Sequence, residues 1–234
     1  MVKLHGNPLS NCTRRVVCVL HEKQIDFEWV TVDYVRDAHK SSEYIAKHPF
    51  GQIPYLEDDG FIVYGNTPSP PPTRAICQYL AAKYAGQGTD LYPAPGDWEG
   101  LALLQQGISI EQSNFDPFVS KIFYEKVFKA RRNIGSGHAD EARVAEYLAG
   151  LESKLKAYET ILSTQKYLTG DKISLGDLFH LPYATTIETL GLDQVFAKYP
   201  AFYSWIKGMQ ERESWKKANA GVAIDDSGVA YLKQ

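Results

Sequence analysis

The sequence predicts two domains: an α/β domain built on a mixed four-stranded sheet, then an all-α domain. Three observations carry that prediction. Up to residue 84, segments of period-two alternation are interleaved with segments of helical spacing. A segment rich in Gly and Pro, Ala85 to Asp97, then breaks the pattern. From Trp98 to Arg212 the apolar residues fall on helical stripes. A chain of 234 residues is long enough to bury a core in each part.

The elements follow in order. Residues 2–6 alternate apolar and polar and read as a strand. Residues 12–23 place Val16, Val17, Val19 and Leu20 on helical spacing. Phe27 to Val32 alternates again, and a strand-helix-strand crossover implies parallel strands. His39 to Lys47 is polar and reads as a short helix. Tyr55–Glu57 and Phe61–Tyr64 are short strands joined by Asp58-Asp59-Gly60, a hairpin signal that makes this pair antiparallel. A helix from Thr73 to Tyr84 closes the unit, with Ile76, Tyr79, Leu80 and Lys83 at helical intervals. The order β-α-β-α-β-β-α is that of a thioredoxin-like half-domain. Beyond the linker come a long helix from Trp98 to Lys129 and a second over Asp140–Ser163, striped by Val144, Tyr147, Leu148, Leu151, Leu155 and Tyr158. A third starts at Ser174, where Ser174-Leu175-Gly176-Asp177 matches a capping box and Ile173 and Leu178 hold the staple positions. A further helix spans Ala201–Arg212, and the tail from Asn219 to Gln234 is only weakly periodic. The division expected is therefore residues 1–85 as the thioredoxin-like domain, 86–97 as linker and 98–234 as the helical domain.

Composition excludes several classes. A net charge of -3 argues against a broad basic surface for nucleic acid or anionic lipid. No apolar run of 18 residues is present, so no membrane span is expected. The opening Met1-Val2-Lys3-Leu4-His5-Gly6 is too short and polar for a signal peptide. Cys12, Cys18 and Cys77 lack metal-like spacing and read as reduced thiols of a cytosolic, metal-free protein.

The run Gly6-Asn7-Pro8-Leu9-Ser10-Asn11-Cys12-Thr13-Arg14-Arg15 falls where a strand becomes a helix. A hydroxyl at Ser10 would sit at the positive end of that helix and could donate a hydrogen bond to an anion brought by a ligand. No base stands nearby in sequence, so Ser10 does not read as a nucleophile. Pro54 follows Gly51-Gln52-Ile53 at the head of a strand. By itself this position favours a trans proline starting an edge strand; a cis bond would instead let the Ile53 backbone pair with an extended peptide.

Taken together, the motifs resemble the cytosolic glutathione transferases, and the phi class of plants and fungi in particular. The resemblance rests on Gly6-x-Pro8-x-Ser10-x-x-Thr13-Arg14-Arg15-Val16, His21-Glu22-Lys23, Glu43 with Pro49-Phe50-Gly51-Gln52-Ile53-Pro54, Arg74-Ala75-Ile76-x-x-Tyr79-Leu80, Phe115-Asp116-Pro117, and Tyr167-Leu168-x-Gly170-Asp171-x-x-Ser174-Leu175-x-Asp177-Leu178. It runs from about residue 3 to about residue 216. It implies that Ser10 hydrogen-bonds the sulfur of glutathione and favours the thiolate, with Thr13 supporting the turn. It implies that glutathione, as co-substrate, is held by His39, Lys40, Gln52, Ile53, Pro54 and Thr73. His39 and Lys40 would take the glycine carboxylate, and the Ile53 backbone would pair with the cysteinyl unit. Pro54 is then expected to be cis. The thiolate would attack hydrophobic electrophiles or peroxides, and the protein would be a cytoplasmic homodimer. For the electrophile, Leu9, Asn11 and Tyr34 are expected to face Phe115, Phe118, Ile122 and Phe123 across the interdomain cleft.

One segment departs from the family pattern. An aromatic followed directly by Glu-Ser-Arg-Ala-Ile is usual, the Glu and Ser binding the γ-glutamyl end. Here Tyr64 is followed by Gly65-Asn66-Thr67-Pro68-Ser69-Pro70-Pro71-Pro72-Thr73 before Arg74, nine residues where two are expected. Seven extra loop residues cost only about 1 kcal/mol of closure entropy, so the fold should survive. Pro72 in the Glu position offers neither carboxylate nor N–H, while Thr73 in the Ser position keeps a hydroxyl. Asn66 or an acidic residue of a partner chain could compensate; otherwise glutathione affinity should be low. Two alternatives remain at this point. One is a ligandin, a non-catalytic carrier of hydrophobic molecules on the same fold. The other is a thiol transferase dependent on Cys12, which lies in the first helical turn where a thiolate would be stabilised.

Overall fold

The structure, a computed structural model, describes residues 1–65, 73–224 and 230–232. Its sheet comprises β1 (Val2–Gly6), β2 (Phe27–Thr31), β3 (Tyr55–Asp58) and β4 (Phe61–Tyr64) in the order β2-β1-β3-β4. β1 is parallel to β2 and antiparallel to β3, which is antiparallel to β4. The parallel pair follows from the crossover through α1 (Asn11–Glu22). The hairpin follows from Asp59 and Gly60, whose φ values of 48° and 87° suit a two-residue turn twisted like the strands. A 3₁₀ turn over Ala38–Lys40 precedes α2 (Ser42–Lys47), which is capped by the Ser41 hydroxyl accepting from Tyr44 N at 3.3 Å. Helix α3 (Thr73–Lys83) completes this half. The stretch 66–72, with Asn66 and Pro72, lies outside the described residues.

The second half is helical: α4 (Trp98–Asn114), α5 (Asp116–Phe123), a π-helical turn (Tyr124–Phe128), α6 (Lys129–Arg132), α7 (Glu141–Leu162), α8 (Leu175–Leu178), α9 (Leu181–Thr189), α10 (Gln194–Ala197), α11 (Pro200–Gln210) and α12 (Glu213–Ala218). Two expected helices prove to be broken ones. Pro117 cannot donate to the carbonyl four residues back and its ring crowds that carbonyl, so the helix expected over 98–129 stops at Asn114 and restarts. Pro182 does the same between α8 and α9. The weakly periodic tail contains a hairpin, β5 (Val222–Ile224) with β6 (Ala230–Leu232).

Helix α1 is central. It packs against α3 on the sheet side and against α9 and α12 on the helical side, which is why eleven of its twelve residues are buried. One continuous apolar core runs from Val2 and Leu4 through Val16, Leu20 and Leu80 to Leu151, Phe179, Phe202 and Trp205. The two halves thus share an interface, and the cleft at its edge places the site.

Candidate active site

The turn from β1 into α1 is built by its own side chains. Asn7 Nδ2 donates to Val32 O at 3.2 Å, and its Oδ1 accepts from Leu9 N at 3.0 Å. Thr13, fully buried, accepts from Asn7 N through its hydroxyl at 3.3 Å. Gly6 is required beneath it, since a Cβ there would meet Thr13 Cγ2 at 2.6 Å. Ser10 is the N-cap of α1: its φ and ψ are -87° and 122°, and its Oγ accepts from Thr13 N at 3.3 Å. A cap accepts through oxygen, so the hydroxyl hydrogen stays free to donate, and among the described residues it has no protein acceptor. The first turn of α1 carries no acidic side chain. The positive end of the helix is therefore open to an anion.

Ser10 faces a cavity of about 440 Å³ between the two halves, a size suited to a small organic ligand. Leu9, Asn11 and Cys12 flank it on the turn, and Tyr34, His39, Lys40, Gly51, Gln52 and Ile53 form the sheet-side wall. The helical wall is Phe123, Phe128, Arg131, Arg132, Ile134 and Tyr183. Its lining is cationic, with Lys40, Arg131 and Arg132 and no Asp or Glu among the described residues. Among the described residues, three buried polar atoms of this lining have no protein partner: Asn11 Nδ2, His39 Nδ1 and Gln52 Oε1. Buried polar groups are ordinarily paired, and these three atoms have almost no surface open to the cavity. The sheet-side wall is held by Lys40 Nζ donating to Gly51 O at 2.7 Å and by Tyr44 donating to Gln52 O at 2.6 Å. The Ile53–Pro54 bond is cis; Pro54 is itself buried and Ile53 is the member that lines the cavity.

Residues 4–88 match the glutathione S-transferase N-terminal domain, and residues 115–213 match the C-terminal domain of the same enzymes. The chain belongs to the glutathione S-transferase family. It is 41% identical over 220 residues to glutathione S-transferase hmp2 of Hypomyces subiculosus, covering 94% of this chain and 98% of that one. Its fold superposes on glutathione transferase F7 of Populus trichocarpa with a TM-score of 0.85 at 33% identity, over 93% and 97% of the two chains. Glutathione S-transferase I from mais, solved with an atrazine glutathione conjugate, superposes with a TM-score of 0.81 at 29% identity, over 93% and 96%. Together these make the chain a glutathione transferase of the phi type.

Within that family frame, several expected site residues stand elsewhere. Phe115 is fully buried among His180, Phe196 and Phe202, as part of the core of the helical half. Ile122 is equally buried, and Phe118 packs against Gly150 of α7. The break at Pro117 turns this face inward, and of the four aromatic and aliphatic side chains expected from α5 only Phe123 reaches the cavity. Thr73 is likewise absent from the lining: fully buried, its hydroxyl accepts from Arg15 Nη1 at 3.0 Å. Cys12 borders the cavity but is only 5% exposed, and burial pushes its thiol up to about 11. Desolvation outweighs the pull of the nearby Arg15 and Arg74 charges there, against a thiolate role. The residues missed by sequence reasoning are Phe128, Arg131, Arg132, Ile134 and Tyr183. The π-helical turn over Tyr124–Phe128 shifts the register that a 3.6 period would extend, and puts Phe123 and Phe128 on one side. The one sequence signal for the rest is the Arg131-Arg132 pair just before Asn133, whose φ of 49° ends α6.

Proposed function

We propose that this cleft binds glutathione with its sulfur at the Ser10 hydroxyl. The observation that carries this is a cap hydroxyl with an unused hydrogen, at an open helix N-terminus, facing a cavity lined by cations. A free thiol has a pKa of roughly 8.5 and is mostly protonated at neutral pH. A hydrogen bond to the anion, together with the helix end, favours the thiolate. The thiol proton leaves to solvent. The thiolate then forms a C–S bond with an electrophile, whose leaving group departs with its electron pair. The glycine carboxylate is assigned to His39 and Lys40, the cysteinyl amides to the Ile53 backbone, and the electrophile to Leu9, Tyr34, Phe123, Phe128, Ile134 and Tyr183.

The reading includes a protein that detoxifies hydrophobic electrophiles in the cytoplasm as a homodimer, with domains at 1–85 and 98–234 joined by 86–97. Light scattering at micromolar concentration tests the dimer.

Ser10→Ala tests the mechanism. Loss of one donor to a developing or fixed anion costs about a hundredfold or more. Conjugation kcat/KM should fall by about that factor at neutral pH, and the pH-rate profile should move toward the pKa of the free thiol. An unchanged rate and profile would refute it. The γ-glutamyl end makes a second prediction. Thr73 is fully buried and outside the cavity lining, and Pro72 replaces the usual carboxylate. Calorimetric titration should give a glutathione Kd well above that of a phi enzyme with the intact Glu-Ser pair; a matching Kd would sink this point alone.

A further inference from the structure

The segment between β2 and α2 carries His39 and Lys40, and both halves of the molecule hold it. Val35 is 58% exposed and Arg36 is exposed. The segment's own domain supplies short local bonds: Tyr34 N to Val32 O at 2.9 Å, Arg36 N to Asp33 Oδ1 at 3.1 Å, Asp37 N to Tyr34 O at 3.4 Å, Ala38 N to Asp33 O at 3.0 Å, Lys40 N to Asp37 O at 2.8 Å and Ser41 N to Ala38 O at 3.2 Å, with Lys40 Nζ reaching across to Gly51 O at 2.7 Å. The side-chain ties to residues 34–37 from outside the segment come from the helical half. Arg132 Nη1 donates to Tyr34 O at 2.7 Å and to Val35 O at 3.3 Å. Its Nη2 donates to Asp37 Oδ1 at 2.7 Å. Arg131, one residue earlier on α6, donates to the Tyr34 hydroxyl, and its guanidinium lies 5.5 Å from the centre of that ring. Asp37 sits at the hinge of this arrangement. Its φ of 58° turns the chain into the 3₁₀ turn Ala38–Lys40, and its Oδ1 lies 3.9 Å from His39 Nε2. One fork-shaped guanidinium thus spans two carbonyls and a carboxylate immediately before the residues assigned to the glycine end.

We propose that Arg132 is a positioning residue for glutathione, clamping residues 34–37 so that His39 and Lys40 meet the glycine carboxylate in register. The clamp is an ion pair and two hydrogen bonds made by a planar fork, a job a lysine does only in part because its ammonium offers a point charge without that fixed geometry. The clamp acts on tripeptide binding and not on the sulfur, since Ser10 caps α1 and its turn is tied to the segment after β2 at Val32 O, ahead of the clamped residues 34–37. The inference rests on the glutathione reading given above.

The test is a cycle of Arg132→Ala, Asp37→Asn and the double variant, with Arg132→Lys and the loop control Arg36→Ala. Asparagine tolerates the left-handed backbone of position 37. For Arg132→Ala the glutathione Kd by calorimetry and the glutathione KM should rise about tenfold, the order expected when charge-assisted hydrogen bonds are removed. The electrophile KM, and kcat at saturating glutathione, should stay within about twofold. Adding Asp37→Asn to Arg132→Ala should change nothing further, Arg132→Lys should recover part of the affinity, and Arg36→Ala should match the wild type. An unaltered glutathione Kd, a fall in kcat in place of binding, or additive effects of the two substitutions would overturn the proposal. If Arg132→Ala fails to fold, Asp37→Asn, on an exposed side chain, carries the same readout. Should the wild type bind no glutathione, the functional reading falls, and amide hydrogen exchange over residues 34–40 judges the clamp: faster exchange in Arg132→Ala upholds it and equal exchange ends it.

Discussion

Ser10 and Cys12 stand two residues apart at one helix end and differ because of burial. Ser10 keeps partial access to the cavity, while Cys12 lies under Tyr183 with its thiol driven toward the neutral form. Both residue types were legible as candidates; which of them meets solvent was not, because exposure depends on what the helical half lays over the turn. His180 shows the same dependence. It is fully buried, with Nδ1 2.8 Å from Gly176 O and Nε2 3.0 Å from the Tyr158 hydroxyl. Burial is the largest cause that lowers its pKa, to about 3. An unfolded histidine titrates near 6.5. The imidazole is therefore neutral in the folded state, and its contribution is complete above pH 6.5 and is lost as pH falls toward about 3. Between pH 6.5 and 5 the loss amounts to about 2 kcal/mol. Urea unfolding at both pH values should show that difference in the wild type and a smaller one in His180→Gln. Equal slopes would place the acid sensitivity elsewhere.

Elements were legible wherever local chemistry decides them. The Ser174 to Asp177 box is one such case: Asp177 Oδ2 accepts from Ser174 N at 2.8 Å and from Ser174 Oγ at 2.6 Å. Tertiary contacts then enlarge its role, because Asp177 Oδ1 also accepts from Leu168 N at 2.9 Å and Trp205 Nε1 at 3.3 Å. Asp177→Ala would leave these buried donors unpaired, and stability should fall by about 3 kcal/mol, read as a lower urea midpoint at constant m-value. A loss below about 0.5 kcal/mol would show the cap to be a minor term. The cap also needs its neighbour: a Cβ on Gly176 would come within 2.6 Å of the Gly107 carbonyl carbon, so α4 and α8 touch backbone to backbone. The breaks at Pro117 and Pro182 follow from a proline rule that periodicity alone overrides when apolar stripes continue across them. The π-helical turn had no sequence signature, and it is the element that decides which aromatic side chains reach the cavity.

Across the whole molecule, the two halves are joined by buried charge as well as by apolar packing. Arg15 of α1 donates to Phe179 O at 3.1 Å, Thr73 Oγ1 at 3.0 Å and Glu111 Oε1 at 3.3 Å. Arg74 of α3 donates to Glu111 Oε2 at 2.8 Å and Asp116 Oδ2 at 2.9 Å. Removing one partner from such a group strands the others without water, which costs about 3–5 kcal/mol. Arg15→Ala should therefore lower the stability of the whole chain by that order in chemical denaturation, with sheet and helical probes shifting together. A shift below about 1 kcal/mol would mean that water replaces the guanidinium. What the sequence determined by itself was the order of elements in the sheet half, the parallel pair β1–β2 and the hairpin β3–β4, the Ser174–Asp177 cap, and the hydroxyl at the head of α1. Each of these follows from residues a few positions apart. Only the tertiary structure decided that Thr73 serves Arg15, that Phe115 belongs to the core, and that Arg131 and Arg132 border the cleft. Those outcomes depend on how distant helices are broken, shifted in register and laid across α1, and burial of that kind is set by neighbours the local sequence does not contain.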